Sequence, residues 1–244
     1  IPHRQKFPEV YELPPSEALP RTEAFYSYGR SGGQVNIHRG RFLHDLGFRG
    51  QGMQISLLDG GFFRYKTLPT FDSARVNNQF LGTWDFVRNE ESVNEDNSHG
   101  MQCLSTIAAN IPGVFVGTAP GASFYLFRTE DVASEYPIEE HFWAAAAEKA
   151  DSLGADVISS SLGYTTFSDG AFDYSYADMD GQTTMSARAA NAAARKGMLV
   201  VVSAGNDGTN AWHYVCTPAD ADSALTVGAV DSLGRVGKIG RAHV

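Results

Sequence analysis

Five short apolar runs, each closing on turn or charged residues and separated by longer connections that include two helix-patterned stretches, constrain this chain more than any other feature. Residues 54–59, 123–128, 157–162, 199–204 and 225–230 are short, rich in Val, Ile, Leu and Phe, and read as strands buried on both faces. Between them, 137–153 reads as a helix with Pro137 at its start, Glu139 and Glu140 in its first turn and Gly154 as its stop. A second helix, 183–196, is closed by Gly197, and a short one is expected near 40–46. Parallel strands need crossover connections, so this rhythm predicts an α/β fold in three layers, a mostly parallel central sheet flanked by helices. No internal repeat is visible, and the Ala144–Ala147 run belongs to helix packing.

Open parallel sheets place their sites at the carboxyl ends of strands, and three stretches there draw the eye. The run Ile55-Ser56-Leu57-Leu58 ends in Asp59-Gly60-Gly61, which delivers a carboxylate to a strand end. The run 199–203 leads into Ala204-Gly205-Asn206-Asp207-Gly208, a tight turn bearing an amide. Between the two, Asn97 and Ser98 are good N-caps for a helix whose apolar positions Cys103, Leu104, Ile107 and Ala108 recur at three- and four-residue steps. His99 falls in its first turn, where the positive helix end disfavours imidazolium unless a carboxylate faces the ring. Taken singly, strand-end Asp and Asn often serve as turn residues, and a lone histidine as a capping or packing residue.

Taken together and in this order, these stretches closely resemble the subtilisin-like serine peptidases, the subtilases. The resemblance runs from about Tyr26 to Gly237. Asp59 matches the family's catalytic Asp, His99-Gly100 its catalytic His motif, and Asn206 the side chain that helps form the oxyanion hole. Gly117-Thr118-Ala119-Pro120-Gly121-Ala122, Ser159-Ser160-Ser161-Leu162-Gly163, Thr217-Pro218-Ala219 and the run at 225–230 agree as well. By the same resemblance Ser161, Leu162, Gly163, Ala204 and Gly205 edge the substrate cleft. Thr129-Glu130-Asp131 follows a core strand where subtilases line the nonprimed side, so Glu130 is a candidate for binding basic substrate groups; a solvated loop is the equal alternative. Two positions depart from the pattern. Gly60 stands where Ser or Thr is usual, which removes one hydrogen bond to the carboxylate, and Met101 replaces the usual Thr.

The family's nucleophile sits in a Gly-Thr-Ser motif opening a later helix, and no serine here has that context. Residues Ile239 to Val244 depart from the family at once and resemble one reading frame of a sequencing adapter. The expectation is therefore a linker or propeptide end at 1–24, a partial subtilisin-like peptidase domain at 25–237 with its C-terminal part missing, and a non-native tail at 238–244. The first segment fits that reading, since residues 1–21 hold five prolines without periodicity.

The implied function is serine endopeptidase chemistry on protein or peptide substrates by a secreted, monomeric enzyme without a cofactor. The alternative is an inactive pseudopeptidase or peptide-binding module. A nucleotide-binding domain is disfavoured, because no Gly-x-Gly-x-x-Gly run follows a core strand. A net charge of −9 argues against nucleic acid as partner, and no apolar run nears the ~20 residues of a membrane span.

The remaining candidates are weaker. Asp173, Asp178 and Asp180 suggest oxygen ligands for calcium, but their spacing does not fit an EF-hand loop, and no metal site is assigned. Asp85, Glu90, Glu91, Glu95 and Asp96, in the long connection at 62–97, read as a solvated acidic face. His38 and His44 read as surface or packing residues. Cys103 follows His99 by four residues and should lie buried beneath the imidazole. Cys216, which the resemblance places near the primary specificity pocket, should be too distant to pair with it.

Overall fold

The run Ile55–Leu58 is apolar apart from Ser56, and the structure buries every residue of it, which is possible only at the centre of a sheet covered on both sides. The structure is a computed structural model describing residues 25–95, 97–209, 211–231 and 234–236. The expectations for 1–24 and 238–244 lie outside the described residues.

In chain order the elements are α1 (Gly32–Ile37), α2 (Gly40–Asp45), β1 (Gln54–Asp59), α3 (Asp72–Val76), β2 (Phe80–Asp85), α4 (His99–Ala108), β3 (Asn110–Ile111), β4 (Phe115–Val116), β5 (Ser123–Arg128), α5 (Ile138–Leu153), β6 (Val157–Ser160), α6 (Met185–Arg195), β7 (Leu199–Ser203) and β8 (Leu225–Val227). β3 and β4 pair as a short antiparallel ribbon. The other six strands form one parallel sheet in the order β2-β5-β1-β6-β7-β8.

Alternate side chains of each strand go to opposite faces. On one face Ile55, Leu57, Phe124 and Leu126 pack with Leu104 and Ala108 of α4 and with Phe62 and Phe71. On the other, Leu58, Phe127, Ile158, Val200 and Val202 meet Trp143, Ala146 and Ala150 of α5 and Ala187 and Ala190 of α6. Trp143 adds a polar tie, its indole N–H donating to Ser160 Oγ at 3.0 Å. The predicted three-layer α/β architecture is the one observed.

The helix ends follow their sequence signals. Gly154 closes α5 in the left-handed conformation with φ 89°, and its N–H returns to the carbonyl of Ala150. α6 begins at Met185 rather than at the expected 183, because Thr184 caps it by accepting from Ala187 N–H. Beneath this cap lies the buried Glu140 carboxylate, which accepts from the Ser186 N–H at 2.9 Å, the Ser186 hydroxyl at 2.7 Å and the Tyr174 hydroxyl.

Several predictions of extent need correction. β6 stops at Ser160 rather than 162: its pairing with β1 and β7 ends there, and Tyr164 bridges to Thr217 instead. β8 stops at Val227, before Gly228. β2 falls within the connection expected at 62–97: its Phe-Leu-Gly-Thr-Trp-Asp run lacks clean alternation, and it is held as an edge strand through β5 alone. Asp85, expected on a solvated acidic face, is fully buried and pairs with Arg128 Nη1 at 2.8 Å.

Among the described residues, one face of the sheet is covered only in part. Register places Leu199, Leu225 and Val227 on the α4 side, and they are 50%, 52% and 45% exposed. None of the described helices is long and apolar enough to cross a membrane.

Candidate active site

A parallel sheet collects the carboxyl ends of its central strands at one edge, and four of the sequence-predicted segments emerge there. Asp59 ends β1, residues 129–131 follow β5, residues 161–163 follow β6 and residues 204–206 follow β7. Against the end of β1 the first turn of α4 brings His99.

The approach is close because residue 100 is glycine. A Cβ there would stand 2.6 Å from the Gly61 carbonyl oxygen and 2.7 Å from Asp59 Cβ, so any larger residue would push the helix away. Asp59 is 2% exposed, and its Oδ1 accepts from Gly60 N–H at 2.7 Å and from His99 Nδ1 at 2.7 Å. Gly60, for all that it lacks a hydroxyl, thus gives the carboxylate a main-chain donor. Asn97 Oδ1 in turn accepts from the His99 N–H at 2.7 Å and satisfies a free donor of the helix end. The sequence left a contest between the helix N-terminus and a facing carboxylate. The carboxylate wins: its hydrogen bond, aided by the Cys103 thiol and opposed by partial burial, raises the His99 pKa to about 10.

Half of the His99 side chain is exposed, and Nδ1 is committed to Asp59. Nε2 therefore remains for a reacting group, and among the described residues no hydroxyl hydrogen-bonds to it. Cys103 Sγ lies 3.9 Å from Nδ1, beneath the ring, but is half-buried rather than buried, since the first turns of α4 border solvent. Cys103 and Cys216 are both free thiols.

Asn206 is exposed in the bend after β7. Gly205, with φ 94°, and Gly163 both close on Cys216, whose side chain sits where their missing Cβ atoms would be: 2.8 Å to its Sγ from Gly205, 2.7 Å to its Cβ from Gly163. The two candidate cleft segments thus share one buried residue. The Cys216 thiol donates to Asp207 Oδ2 at 3.0 Å, and burial holds it well above the usual thiol range. Ser161 and Leu162 are half-buried, Gly163 is exposed, and Tyr164 pairs with Thr217 through both backbone bonds, at 2.8 and 3.3 Å.

Glu130 departs from expectation. It is 8% exposed, its carboxyl accepts a hydrogen bond from the Tyr164 hydroxyl, and burial raises its pKa to about 9. A group so held is a neutral interior acid near pH 7, not a charge offered to basic substrate groups. Sequence reasoning also missed Tyr164, Glu135 and Glu139, which meet Glu130 only in the folded chain. The calcium candidates do not converge. Asp173 accepts from Phe167 N–H, Asp178 from Ser175, and Asp180 from Gln182 and Thr183, so each carboxylate is bound to its own loop.

The architecture is that of the subtilisin-like proteases. The crystal structure of MycP1 from the ESX-1 type VII secretion system matches 91% of this chain and 62% of its own, with TM-score 0.61 at 20% identity. A lanthipeptide protease matches 86% of this chain and 57% of its own, with TM-score 0.59 at 20% identity. The sequence profile of the subtilase family matches residues 50–239, and the chain belongs to that family. Thermitase from Thermoactinomyces vulgaris is 31% identical over 188 residues, covering 75% of this chain and 56% of the relative. Subtilisin Savinase from Lederbergia lenta is 30% identical over 190 residues, covering 77% and 59%. The chain thus spans a little over half the length of these relatives.

Proposed function

We propose that this chain carries the acid, base and oxyanion parts of a serine endopeptidase site. The observation that carries the reading is the Asp59–His99 pair, built at a strand end with Nδ1 bonded and Nε2 directed away from the carboxylate. Asp59 orients the ring with Nδ1–H bonded, so that in the neutral ring, which the raised pKa confines to the alkaline side in the chain without its serine, Nε2 can take a proton, and it stabilises the imidazolium that results. Asn206 donates its amide to the oxygen of the tetrahedral intermediate. Residues 161–163 and 204–206, spaced by Cys216, form the walls along which an extended protein or peptide substrate lies. The serine hydroxyl that attacks comes from outside the described residues.

The enzyme works as a secreted monomer needing no cofactor. Extracellular location is supported by relatives such as the minor extracellular protease Vpr of Bacillus subtilis, 28% identical over 76% of this chain and 21% of that protein. The rival reading, a pseudopeptidase or peptide-binding module, draws on the absence of a hydroxyl at Nε2 among the described residues.

Covalent labelling with a fluorophosphonate separates them. The 244-residue chain should not be labelled; the same chain extended by its gene's continuation should be labelled and should lose labelling in His99→Ala. Labelling of the 244-residue chain would place the nucleophile among residues already present. An unlabelled extended chain would favour the binding module.

A further inference from the structure

The mechanism leaves unused a group of acids near the Asp59–His99 pair, of which Glu130 and Glu139 are buried and Glu135 half-buried. Glu130 lies against β1: a Cβ on Gly60 would stand 3.6 Å from Glu130 Cβ. Its carboxyl meets the hydroxyl of Tyr164, which is 1% exposed and belongs to the segment following β6. Behind it, one carboxylate oxygen each from Glu130, Glu135 and Glu139 lies within 4.8 Å of the other two. The same two stretches of chain are joined again nearby, by Ser168 N–H to the Glu135 carbonyl at 2.8 Å and by Glu135 N–H to Ser168 Oγ at 3.0 Å.

The three acids do not hold their protons equally. Burial raises the Glu139 pKa, but two backbone donors, Tyr136 N–H at 3.0 Å and Asp131 N–H at 2.7 Å, oppose that rise and favour its charged form. Glu135 has no such pair of donors, and burial with the Glu139 charge beside it raises its pKa to about 7. Glu130 has one donor, the Tyr164 hydroxyl, which favours its charged form, but burial outweighs that bond and, with Glu139, Glu135 and Asp59 facing it, carries the pKa to about 9. The Arg128 guanidinium binds elsewhere: its Nη1 is spent on Asp85 and its Nη2 lies 3.8 Å from Asp131, while its Nε donates to the Glu130 backbone carbonyl, not to the carboxyl. His99 faces Asp59, with the Cys103 thiol 3.9 Å from its Nδ1. Glu130 therefore keeps its proton at neutral pH, and its ionisation would set a new negative charge among three others in a dry site.

We propose that Glu130 and Tyr164 are positioning residues for the substrate cleft: the Glu130 carboxyl and the Tyr164 hydroxyl tie the segment after β5 to the segment after β6, and ionisation of Glu130, which sets its charge against Glu139, Glu135 and Asp59, drives the two segments apart. The inference rests on the reading of residues 161–163 as a substrate wall, because Tyr164 adjoins that wall. Its sign follows from the raised pKa. Folding favours the protonated acid, so the tie is complete at low pH and is lost as the pH rises through about 9.

The test needs no turnover, so its outcome is separable from that of the proposed peptidase activity. In the 244-residue chain, carbon-13 NMR of labelled Glu side chains should show Glu130 titrating near pH 9. Hydrogen exchange at Tyr164 and Ser168, corrected for intrinsic base catalysis, should speed up at least tenfold across the same range. Glu130→Gln, which keeps the shape and cannot ionise, should abolish that step, and Tyr164→Phe should show fast exchange at Ser168 already at pH 7. The wild-type titration decides even where a variant fails to fold. A Glu130 midpoint of 4 to 5, or an exchange step that persists in Glu130→Gln, would overturn the proposal. So would calcium drawing the midpoint down into that range, which would make the group a cation site.

Discussion

Replacing Asp59 with Asn removes one charge and almost nothing else. The amide oxygen can still accept from Gly60 N–H and His99 Nδ1, the two bonds Oδ1 makes at 2.7 Å, so the change isolates electrostatics from shape. In the native chain the carboxylate raises His99 to about 10. Without it the ring keeps only the Cys103 thiol in its favour, against partial burial and the positive end of α4, and its midpoint should fall to about 6.5 or below. Proton NMR of the His99 ring in the two proteins reads this directly: at pH 8 the native ring should be mostly protonated and the variant ring mostly neutral. The effect on stability should be smaller than that displacement suggests. Half of the His99 side chain faces water, and screening keeps the pair near the ~1 kcal/mol of exposed ion pairs. The sign is fixed by linkage. Folding favours the imidazolium, so the pair's contribution is complete below about pH 6.5 and is lost as the pH climbs through about 10. Urea melts should therefore separate native and variant most at pH 6 and least at pH 10. A His99 midpoint that does not move in Asp59→Asn would refute the argument.

Three further outcomes are expected. In the extended, active enzyme, Asn206→Ala should lower kcat by roughly 10²–10³ with KM nearly unchanged, because the amide meets the oxyanion mainly in the transition state; an equal kcat would remove Asn206 from the site. A mercurial should react with the half-buried Cys103, shift the His99 ring resonances and abolish activity in that enzyme, while mass spectrometry should find no disulfide between Cys103 and Cys216. Glu140→Ala should cost about 3 kcal/mol in urea unfolding, since it leaves the Ser186 N–H, the Ser186 hydroxyl and the Tyr174 hydroxyl without their acceptor; a loss below about 0.5 kcal/mol would show that water replaces it.

Much of this molecule was legible before folding because the signals are local. The runs that became β1, β5 and β7 are apolar over consecutive residues, and a period or a run can be read without knowing what lies opposite it. Gly154 marks a helix end for an equally local reason, a left-handed turn. Asp59, His99 and Asn206 stood out by motif and order, and the parallel sheet accounts for why strand-end residues gather at one edge. The tertiary structure decided what each polar group faces. Asp85 and Arg128 are 43 residues apart, and no pattern around either shows that they meet in the interior. Glu130 and Tyr164 are 34 apart; the same Glu on a loop turned outward would be an ordinary surface charge. Charge state belongs to the environment rather than to the residue, since burial and neighbouring charges set the cost of ionisation, and those neighbours are assembled only when the sheet closes.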